Sequence, residues 1–521
     1  MDVLLAEAKA EGEGTLERCL GPFQLTALGV GAVIGAGIFV LSGLGAHYAG
    51  PGLMLSFVLS GLGCAFAGLC YAEFAAMIPL AGSAYTYAYA TLGELIAWII
   101  GWDLTLEYAM GASTVSSGWS NHFIELMDIA HIKFPLWLAY DHWTGLGVAV
   151  DKVGRDVMAS AYTSLVPGSQ EYIAQLGVLK ATPTAEMLAR AHQVLGAPVL
   201  FGHEIGLNLP AFLIALVVTT VLAIGIKESA KFNTSIVVIK VSVVLFVLGL
   251  GAKYVSHANW GHDWHTFAPY GFGGIGAGAA YIFFAYIGFD AVSTTAQEAK
   301  NPQRDLPIGI IASLAICTLL YIGVAAVLTG MVPWQSVNIE APIARAFADR
   351  NLGWASDIIT LGALAGLTSV MLVMLLGQSR VFYSMSHDGL VPKIFSDVHP
   401  KFQTPWKSNL LFFGLTAAFG GFIPGDIVGE MTSIGTLFAF MLVCAGVWIM
   451  RVRRPELTRG FTVPLLPLVA VLGILVCGAM IYGLGWTNWL RLGVWLVIGL
   501  VFYFSYGIKH SRLGQGQEAR L

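Results

Sequence analysis

Two glycine-rich runs could bind charged groups, because each interrupts an apolar segment long enough to cross a membrane. The first run covers residues 29–39 (GVGAVIGAGIF) and the second covers residues 283–290 (FFAYIGFD). A backbone buried in lipid must satisfy its own hydrogen bonds, so a helix unwinds there only where the freed groups are used. Two such breaks in corresponding parts of a chain are typical of a transporter.

The two breaks would expose opposite chemistry. Unwinding at residues 35–37 exposes backbone N–H groups at the positive end of a half-helix, which suits a carboxylate. Unwinding at residues 284–287 exposes carbonyl groups, which suit an ammonium group. Together they predict a site for an α-amino acid, although glycines in the first run could instead serve close helix packing. The residues assigned to binding are Gly35, Ala36, Gly37, Phe284, Ala285 and Ile287, together with Val33 beside the first break.

Ionisable residues inside apolar segments are the second signal. Lys240 lies near the centre of one such segment, and burial penalises the charged form of a lysine, so it is the candidate for carrying a proton. The alternative is that its side chain extends to the nearer membrane surface. Glu107 and Asp290 are intramembrane carboxylates that could line a substrate path or form a fixed hydrogen-bond network. Asp103 lies one helical turn before Glu107.

Composition indicates a protein that crosses the membrane many times. Of its 521 residues, 56% are hydrophobic and 11% are charged. Apolar windows of about 20 residues, the length of a membrane-spanning helix, follow one another along the chain. The predicted centres of twelve spans are Gly35, Ala65, Glu107, Leu216, Ser242, Ala285, Tyr321, Val370, Thr416, Phe440, Val471 and Leu500.

Spans one to five and six to ten have the organisation of two inverted repeats. An odd number of spans per repeat turns the second repeat upside down, which would place the two breaks face to face. The predicted parts are a cytoplasmic N-terminus (1–20), a transporter core (21–460), two further spans (461–510) and a cytoplasmic C-terminus (511–521). A long loop at about 128–206 faces outward and should contain short helices joined by turns.

Charge placement predicts the orientation in the inner membrane. Lysines and arginines cluster at residues 393–407 and 451–459, which places both termini in the cytoplasm. Residues 1–20 are mostly acidic and polar, unlike a removable signal peptide, so the first span is expected to stay attached.

Several other functions are disfavoured. The six cysteines include no Cys-x-x-Cys pair, and the twelve histidines include no His-Glu-x-x-His motif. The cluster of His262, Asp263 and His265 fits an interfacial loop better than a metal site. Neither a nucleophile constellation nor repeated polar rings are present, so we expect no enzyme, channel, metal or cofactor. An amino acid sensor using the same site is also disfavoured, because no appended soluble domain is recognisable.

Several motifs together resemble the amino acid-polyamine-organocation superfamily. Within it the chain is most similar to the cationic amino acid transporter family and its bacterial relatives, over residues 15 to 510 except the outer loop. The motifs are Gly-Ala-Gly-Ile-Phe in the first break, Tyr71-Ala72-Glu73-Phe74, Ala285-Tyr286-Ile287-Gly288-Phe289-Asp290, Asn301-Pro302, Arg380 and Asp388-Gly389-Leu390.

The resemblance implies an all-α membrane protein with the LeuT-like five-plus-five inverted-repeat fold. It would have twelve transmembrane helices, with helices 1 and 6 broken, and would work by alternating access. Lys240 matches the position where sodium sits in sodium-coupled relatives. Thr368 and Ser369 resemble hydroxyl ligands of that sodium site, so a residual sodium role stays open. Met374 matches the pocket wall, where its length would favour small neutral amino acids such as alanine over arginine, unless it is a core methionine.

The expected function is therefore proton-coupled transport of L-amino acids, with the proton as coupling ion. Amino acid exchange and sodium coupling are the alternatives. The expected partners are the amino acid substrate and the lipid bilayer, a small single-span accessory subunit stays open, and nucleic acid is not expected.

Overall fold

The computed structural model describes residues 20–35, 37–77, 83–91, 93–161, 170–224, 229–294, 296, 299–339, 341–399 and 404–511. Most of these residues are helical, and one two-stranded antiparallel sheet is the only sheet among them.

The first half of the chain contains ten helices and the sheet within these described residues. They are α1 (Pro22–Val33), α2 (Ser42–Ala49), α3 (Leu53–Met77), α4 (Ser83–Thr91), α5 (Glu94–Ile129), α6 (Leu136–Ala139), α7 (His142–Ala161), α8 (Gln170–Ala181), α9 (Ala185–Leu195), β1 (Val199–Leu200), β2 (His203–Glu204) and α10 (Leu209–Ile224).

The second half continues with long apolar helices separated by short connections. They are α11 (Ser229–Gly251), α12 (Trp264–Phe267), α13 (Gly271–Ile282), α14 (Ala291–Thr294), α15 (Pro302–Met331), α16 (Pro342–Ala348), α17 (Gly353–His387), α18 (Trp406–Phe422), α19 (Gly425–Arg453), α20 (Leu466–Gly483), α21 (Trp486–Phe502) and α22 (Ile508–His510).

Eight stretches of the described chain are long and apolar enough to cross a membrane. They are Pro22–Met77, Ser235–Tyr254, Trp264–Ser293, Pro302–Met331, Gly353–His387, Gly425–Arg453, Leu466–Gly483 and Trp486–His510. The first stretch holds two of the twelve predicted span centres, and every predicted centre lies in a helix or a break. The remaining centres lie in α5, which buries Asp103 and Glu107, and in the shorter helices α10 and α18.

Helices α5 and α15 organise the interior. Helix α5 packs along α17 and α19, while α15 packs along α3 and α1. The buried apolar side chains of these helices form one continuous core that also encloses both breaks. Both breaks therefore lie in the interior of the helix bundle.

The loop predicted at 128–206 forms a small helical subdomain with its own apolar core. Val150 and Val153 of α7 pack with Met187 and Leu195 of α9. Helix α9 begins with a side-chain cap, because the Thr184 hydroxyl accepts the Met187 N–H at 3.2 Å. This agrees with the predicted short helices, although residues 162–169 lie outside the described chain.

A charged contact ties α7 to α8 in this subdomain. The Asp151 carboxylate accepts from Arg155 Nε at 2.7 Å and from Lys180 Nζ at 2.8 Å. Partial burial would raise the pKa of Asp151, but hydrogen bonds from Lys180 and Arg155 hold it below its ordinary value.

A buried carboxylate joins α3 to the end of α19 and to the chain that follows it. Glu73, 1% exposed, accepts from the guanidinium of Arg451, from Arg459 Nε at 3.3 Å and from the Val463 N–H at 2.7 Å. These contacts link segments far apart in sequence. Removing one partner from such a group leaves a buried charge uncompensated.

We therefore expect Glu73→Gln to lower the free energy of unfolding by about 3 kcal/mol, since Arg451 and Arg459 lose their counter-charge. The measurement is thermal unfolding of the purified protein in detergent. The matched control is Glu456→Gln, whose partner Arg454 lies 3.4 Å away in an exposed pair. Equal thermal midpoints for the two variants would contradict the assignment.

Candidate functional site

The first break follows directly from the end of α1. Helix α1 ends at Val33, Ile34 is extended (φ −71°, ψ 105°), and a π-helical turn runs over Gly37–Leu41 before α2. Carbonyl groups near the end of α1 therefore lack the regular i+4 partner of a continuous helix. Gly35 lies against Val370, and Ala36 lies outside the described residues.

The second break lies between α13 and α14. A 3₁₀ turn covers Phe283–Tyr286, Ile287 is extended (φ −60°, ψ 136°), and Gly288 adopts φ +113°. A positive φ of this size strains any residue with a Cβ, so glycine is needed at position 288. The chain therefore changes direction within the bundle rather than continuing as one helix.

The two breaks touch each other. A Cβ built on Gly37 would lie 2.0 Å from the Ala285 Cα, and one built on Gly288 would lie 3.0 Å from the Ala32 carbonyl oxygen. Only glycine at position 37 allows this approach. The structure thus brings together the segments that carry Gly37 and Ala285.

Lys240 of α11 is fully buried beside the first break. Its Nζ donates to the carbonyl oxygens of Gly31 and Ile34, the latter at 3.0 Å, and lies 3.3 Å from the Ser369 Oγ on α17. The side chain does not extend to a membrane surface. The three contacts account for the three donors of an ammonium group.

Thr368 takes a different position from its neighbour Ser369. Its hydroxyl donates to the Leu364 carbonyl oxygen at 2.8 Å and accepts from Trp119 Nε1 at 3.1 Å. The Thr368 hydroxyl is thus engaged between α17 and α5. Of the two predicted hydroxyls, that of Ser369 lies within hydrogen-bond distance of Lys240 Nζ.

Three carboxyl groups, those of Asp103, Glu107 and Asp290, are buried in the interior of the helix bundle. Tyr108 Oη donates to Asp290 Oδ2 at 2.6 Å, and Thr436 of α19 lies beside Glu107. Both carboxyl oxygens of Asp103 lack a hydrogen-bond partner among the described residues. The hydrogen bond from Tyr108 supports the fixed-network interpretation for Asp290, whereas neither carboxyl oxygen of Glu107 has a hydrogen-bond partner among the described residues.

Met374 lies in the contact between α17 and α5. It is buried, and its Sδ would lie 2.8 Å from a Cβ built on Gly111. Tyr108 packs against Gly377, nearly one turn further along the same face of α17. Met374 therefore fills the space that the missing side chain at position 111 leaves.

A family model described as amino acid permease matches residues 20–488 of the chain. The chain belongs to the amino acid permease family. This confirms the resemblance to the amino acid-polyamine-organocation superfamily, and the permease is a multi-pass membrane protein and not an enzyme. Permeases of this family need no cofactor, and no cluster of three or more metal-ligating side chains occurs in the described part of the chain.

Individual relatives match the permease over most of its length. It is 44% identical over 509 residues to the branched-chain amino acid permease BcaP of Bacillus subtilis, covering 98% of this chain and 97% of that protein. It is 38% identical to the methylthioribose transporter of the same organism, covering 99% and 98%. It is 35% identical to the vacuolar cationic amino acid transporter 4 of Arabidopsis thaliana, covering 86% and 66%.

Sequence reasoning missed Tyr108 and Tyr321 of the permease. Tyr108 binds Asp290, and the Tyr321 hydroxyl lies 2.8 Å from the Val33 carbonyl oxygen and 2.9 Å from the Ala285 carbonyl oxygen. A tyrosine at the centre of an apolar span was the available signal, because a buried hydroxyl needs a hydrogen-bond partner.

Proposed function

We propose that the permease takes up neutral L-amino acids across the inner membrane together with protons. The observation that carries this proposal is the position of Lys240: its ammonium group is held by two carbonyl oxygens of the first break and lies beside a hydroxyl of α17. Carbonyl and hydroxyl oxygens are the ligands of a hard cation. Because the Lys240 ammonium is a cation fixed to the protein at this place, no free metal cation is needed to occupy these oxygen ligands.

The lysine offers a physical route to coupling. Charged, it donates three hydrogen bonds and neutralises the dipoles that converge at Gly31 and Ile34; neutral, it has one donor fewer and no charge. Loss of the proton weakens its hold on the first break. Proton release and movement of the substrate-binding segment are thereby linked.

The amino acid would bind where the two breaks meet. Val33, Gly35, Ala36 and Gly37 would hold the carboxylate side, and Phe284, Ala285 and Ile287 the amine. The close approach of Gly37 to Ala285 supports this arrangement. Glu107 and Asp290 would adjust the polarity of the pocket from the α5 and α14 sides.

The architecture proposed for transport has twelve spans, with the two interrupted helices leading two inverted repeats. Both termini would be cytoplasmic, so the subdomain formed by α6 to β2 would face outward. Alternating access would then move the segments around the breaks against the helices that support them. An accessory subunit is not part of the proposal.

The substrate class rests on the breaks and on Met374. The branched-chain permease is similar over nearly the whole chain, which supports neutral substrates of moderate size as well as alanine. The cationic transporters among the relatives make arginine the informative test of pocket length. Met374 would set that length, because its thioether fills the space opposite Gly111.

We expect Met374→Ala to raise arginine uptake about tenfold relative to alanine uptake, since it removes a buried side chain from the proposed pocket wall. The ratio of initial rates in proteoliposomes measures this. The control is Met371→Ala, a fully buried methionine on the same helix. If both variants leave the ratio unchanged, or change it equally, Met374 is a core residue.

Sodium coupling and exchange are the competing mechanisms. Sodium at the matching site would have to displace the ammonium of Lys240, so the occupied position argues against it. Exchange needs the same amino acid site without proton movement.

Counterflow tests the substrate class without assuming a driving force. Proteoliposomes preloaded with unlabelled leucine should take up labelled leucine, and alanine and branched-chain amino acids should compete. Competition by methylthioribose but not by amino acids would overturn the proposal. That outcome would indicate that the permease transports methylthioribose, as the name of the second relative states for that protein.

A further inference from the structure

Tyr321 of α15 places one hydroxyl between the two breaks. Its Oη lies 2.8 Å from the Val33 carbonyl oxygen and 2.9 Å from the Ala285 carbonyl oxygen. The residue is fully buried. A tyrosine hydroxyl has a single hydrogen, so it is shared between the two acceptors or alternates between them. In both cases, the Tyr321 hydroxyl contacts a carbonyl oxygen of each break.

The ring of Tyr321 is fixed by its neighbours. It packs against Phe57 of α3 at 5.5 Å between ring centroids and against Tyr286 at 5.4 Å. The Tyr286 hydroxyl donates elsewhere, to the Phe57 carbonyl oxygen at 2.9 Å. Because the ring is held on two sides, the position of the Tyr321 hydroxyl is fixed. The hydroxyl therefore orients the two carbonyl groups that accept its hydrogen bond.

Lys240 and Tyr321 hold neighbouring carbonyl groups of one helical turn. Lys240 binds the carbonyl oxygens of Gly31 and Ile34, and Tyr321 binds that of Val33 between them. A shift of this turn after a change at Lys240 must therefore stretch or break the hydrogen bond at Val33.

The same hydroxyl extends the connection to the second break. Ala285, which the proposed function assigns to the substrate amine, is its other acceptor. Direct packing of Gly37 on Ala285 joins the breaks by contact, but it carries no directional bond. Tyr321 thus completes a hydrogen-bonded path from Lys240, through residues 31–34, to the Ala285 carbonyl group.

We infer that Tyr321 is a positioning residue that couples Lys240 to the amine-binding segment of the second break. This inference rests on the proposed function, since it gives Lys240 and Ala285 the roles assigned there. The hydroxyl orders the Ala285 carbonyl group for the substrate amine only while the Lys240 turn is in place. The state of the lysine thereby changes the affinity for the amino acid.

Tyr321→Phe tests the inference because it keeps the ring and removes only the hydroxyl. We expect the KM for leucine counterflow to rise about tenfold and to lose its dependence on pH, while gradient-driven accumulation falls about tenfold. The matched control is Tyr503→Phe, which removes a buried tyrosine hydroxyl that donates to Glu94 Oε1 at 2.9 Å rather than to either break, and which should leave these values within twofold. Unchanged pH dependence of KM in Tyr321→Phe would overturn the inference.

A double-mutant cycle separates this inference from the proton-coupling proposal. Counterflow KM is measured for Lys240→Ala, Tyr321→Phe and the double variant, none of which needs a gradient. We expect the double variant to be no worse than the poorer single variant, because both interrupt one path. Multiplicative effects would refute the path even if protons drive uptake, whereas a non-additive result without gradient-driven uptake would refute only proton coupling.

Discussion

Lys240→Ala should abolish uphill accumulation of amino acid under a pH gradient. An acid-outside gradient of two pH units drives about 100-fold accumulation when one proton accompanies one substrate, since each unit corresponds to a factor of ten. The substitution removes the ammonium from the carbonyl oxygens of Gly31 and Ile34. The accumulation ratio should then fall to about 1.

Labelled leucine uptake into proteoliposomes, followed to steady state without sodium, measures this ratio. Lys253→Ala is the control, because Lys253 lies on the same segment of chain just past the end of α11 and is exposed. It should retain full accumulation. Persistent accumulation in Lys240→Ala would leave the lysine with a structural role only.

Gly37→Ala should eliminate transport, because the new methyl group has no space. Its Cβ would lie 2.0 Å from the Ala285 Cα and 2.7 Å from the Ala285 backbone nitrogen, so the two breaks would have to separate. Backbone atoms cannot yield as a flexible side chain can. We expect counterflow of leucine to fall at least about 100-fold.

Gly249→Ala is the matched control for this substitution. Gly249 also lies in a membrane-spanning segment, yet nothing lies within 4 Å of a Cβ built there. The control should transport normally. Thermal unfolding of both variants distinguishes loss of the site from loss of the fold. Near-normal counterflow by Gly37→Ala would show that contact between the breaks is not needed.

The positions of the breaks and of Lys240 could be predicted from sequence because membrane burial makes polar groups rare and costly. Glycine runs and a lone lysine stand out against apolar segments. The contact between the breaks is the arrangement that an inverted repeat implies, and the structure shows Gly37 against Ala285.

Side-chain direction within the spans could not be predicted. Helices that are apolar on all sides give no periodic signal for the face that points inward. Thr368 and Ser369 are adjacent, so their side chains point about 100° apart, and sequence alone did not indicate which of them lies beside Lys240. The contact of Met374 with Gly111 depends on the axial register of α17 against α5, which sequence leaves open.

Contacts between residues far apart in the chain could not be predicted from sequence either. Glu73 belongs to a recognisable motif, yet its partners Arg451 and Arg459 lie far along the chain. Tyr321 marked only the centre of a span. Its two hydrogen-bond acceptors are main-chain oxygens, which every residue type carries, so the sequence does not identify them. They become apparent once α15 is packed between the breaks.

Proton movement during substrate uptake is the most direct measure of whether the permease couples amino acid entry to protons. Proteoliposomes containing a pH-sensitive dye, with the membrane potential clamped and without sodium or preloaded amino acid, would receive leucine or alanine outside. We expect the interior to acidify as substrate enters, and Lys240→Ala to abolish the signal. Substrate entry with no pH change, or entry only with sodium or internal amino acid, would contradict this coupling.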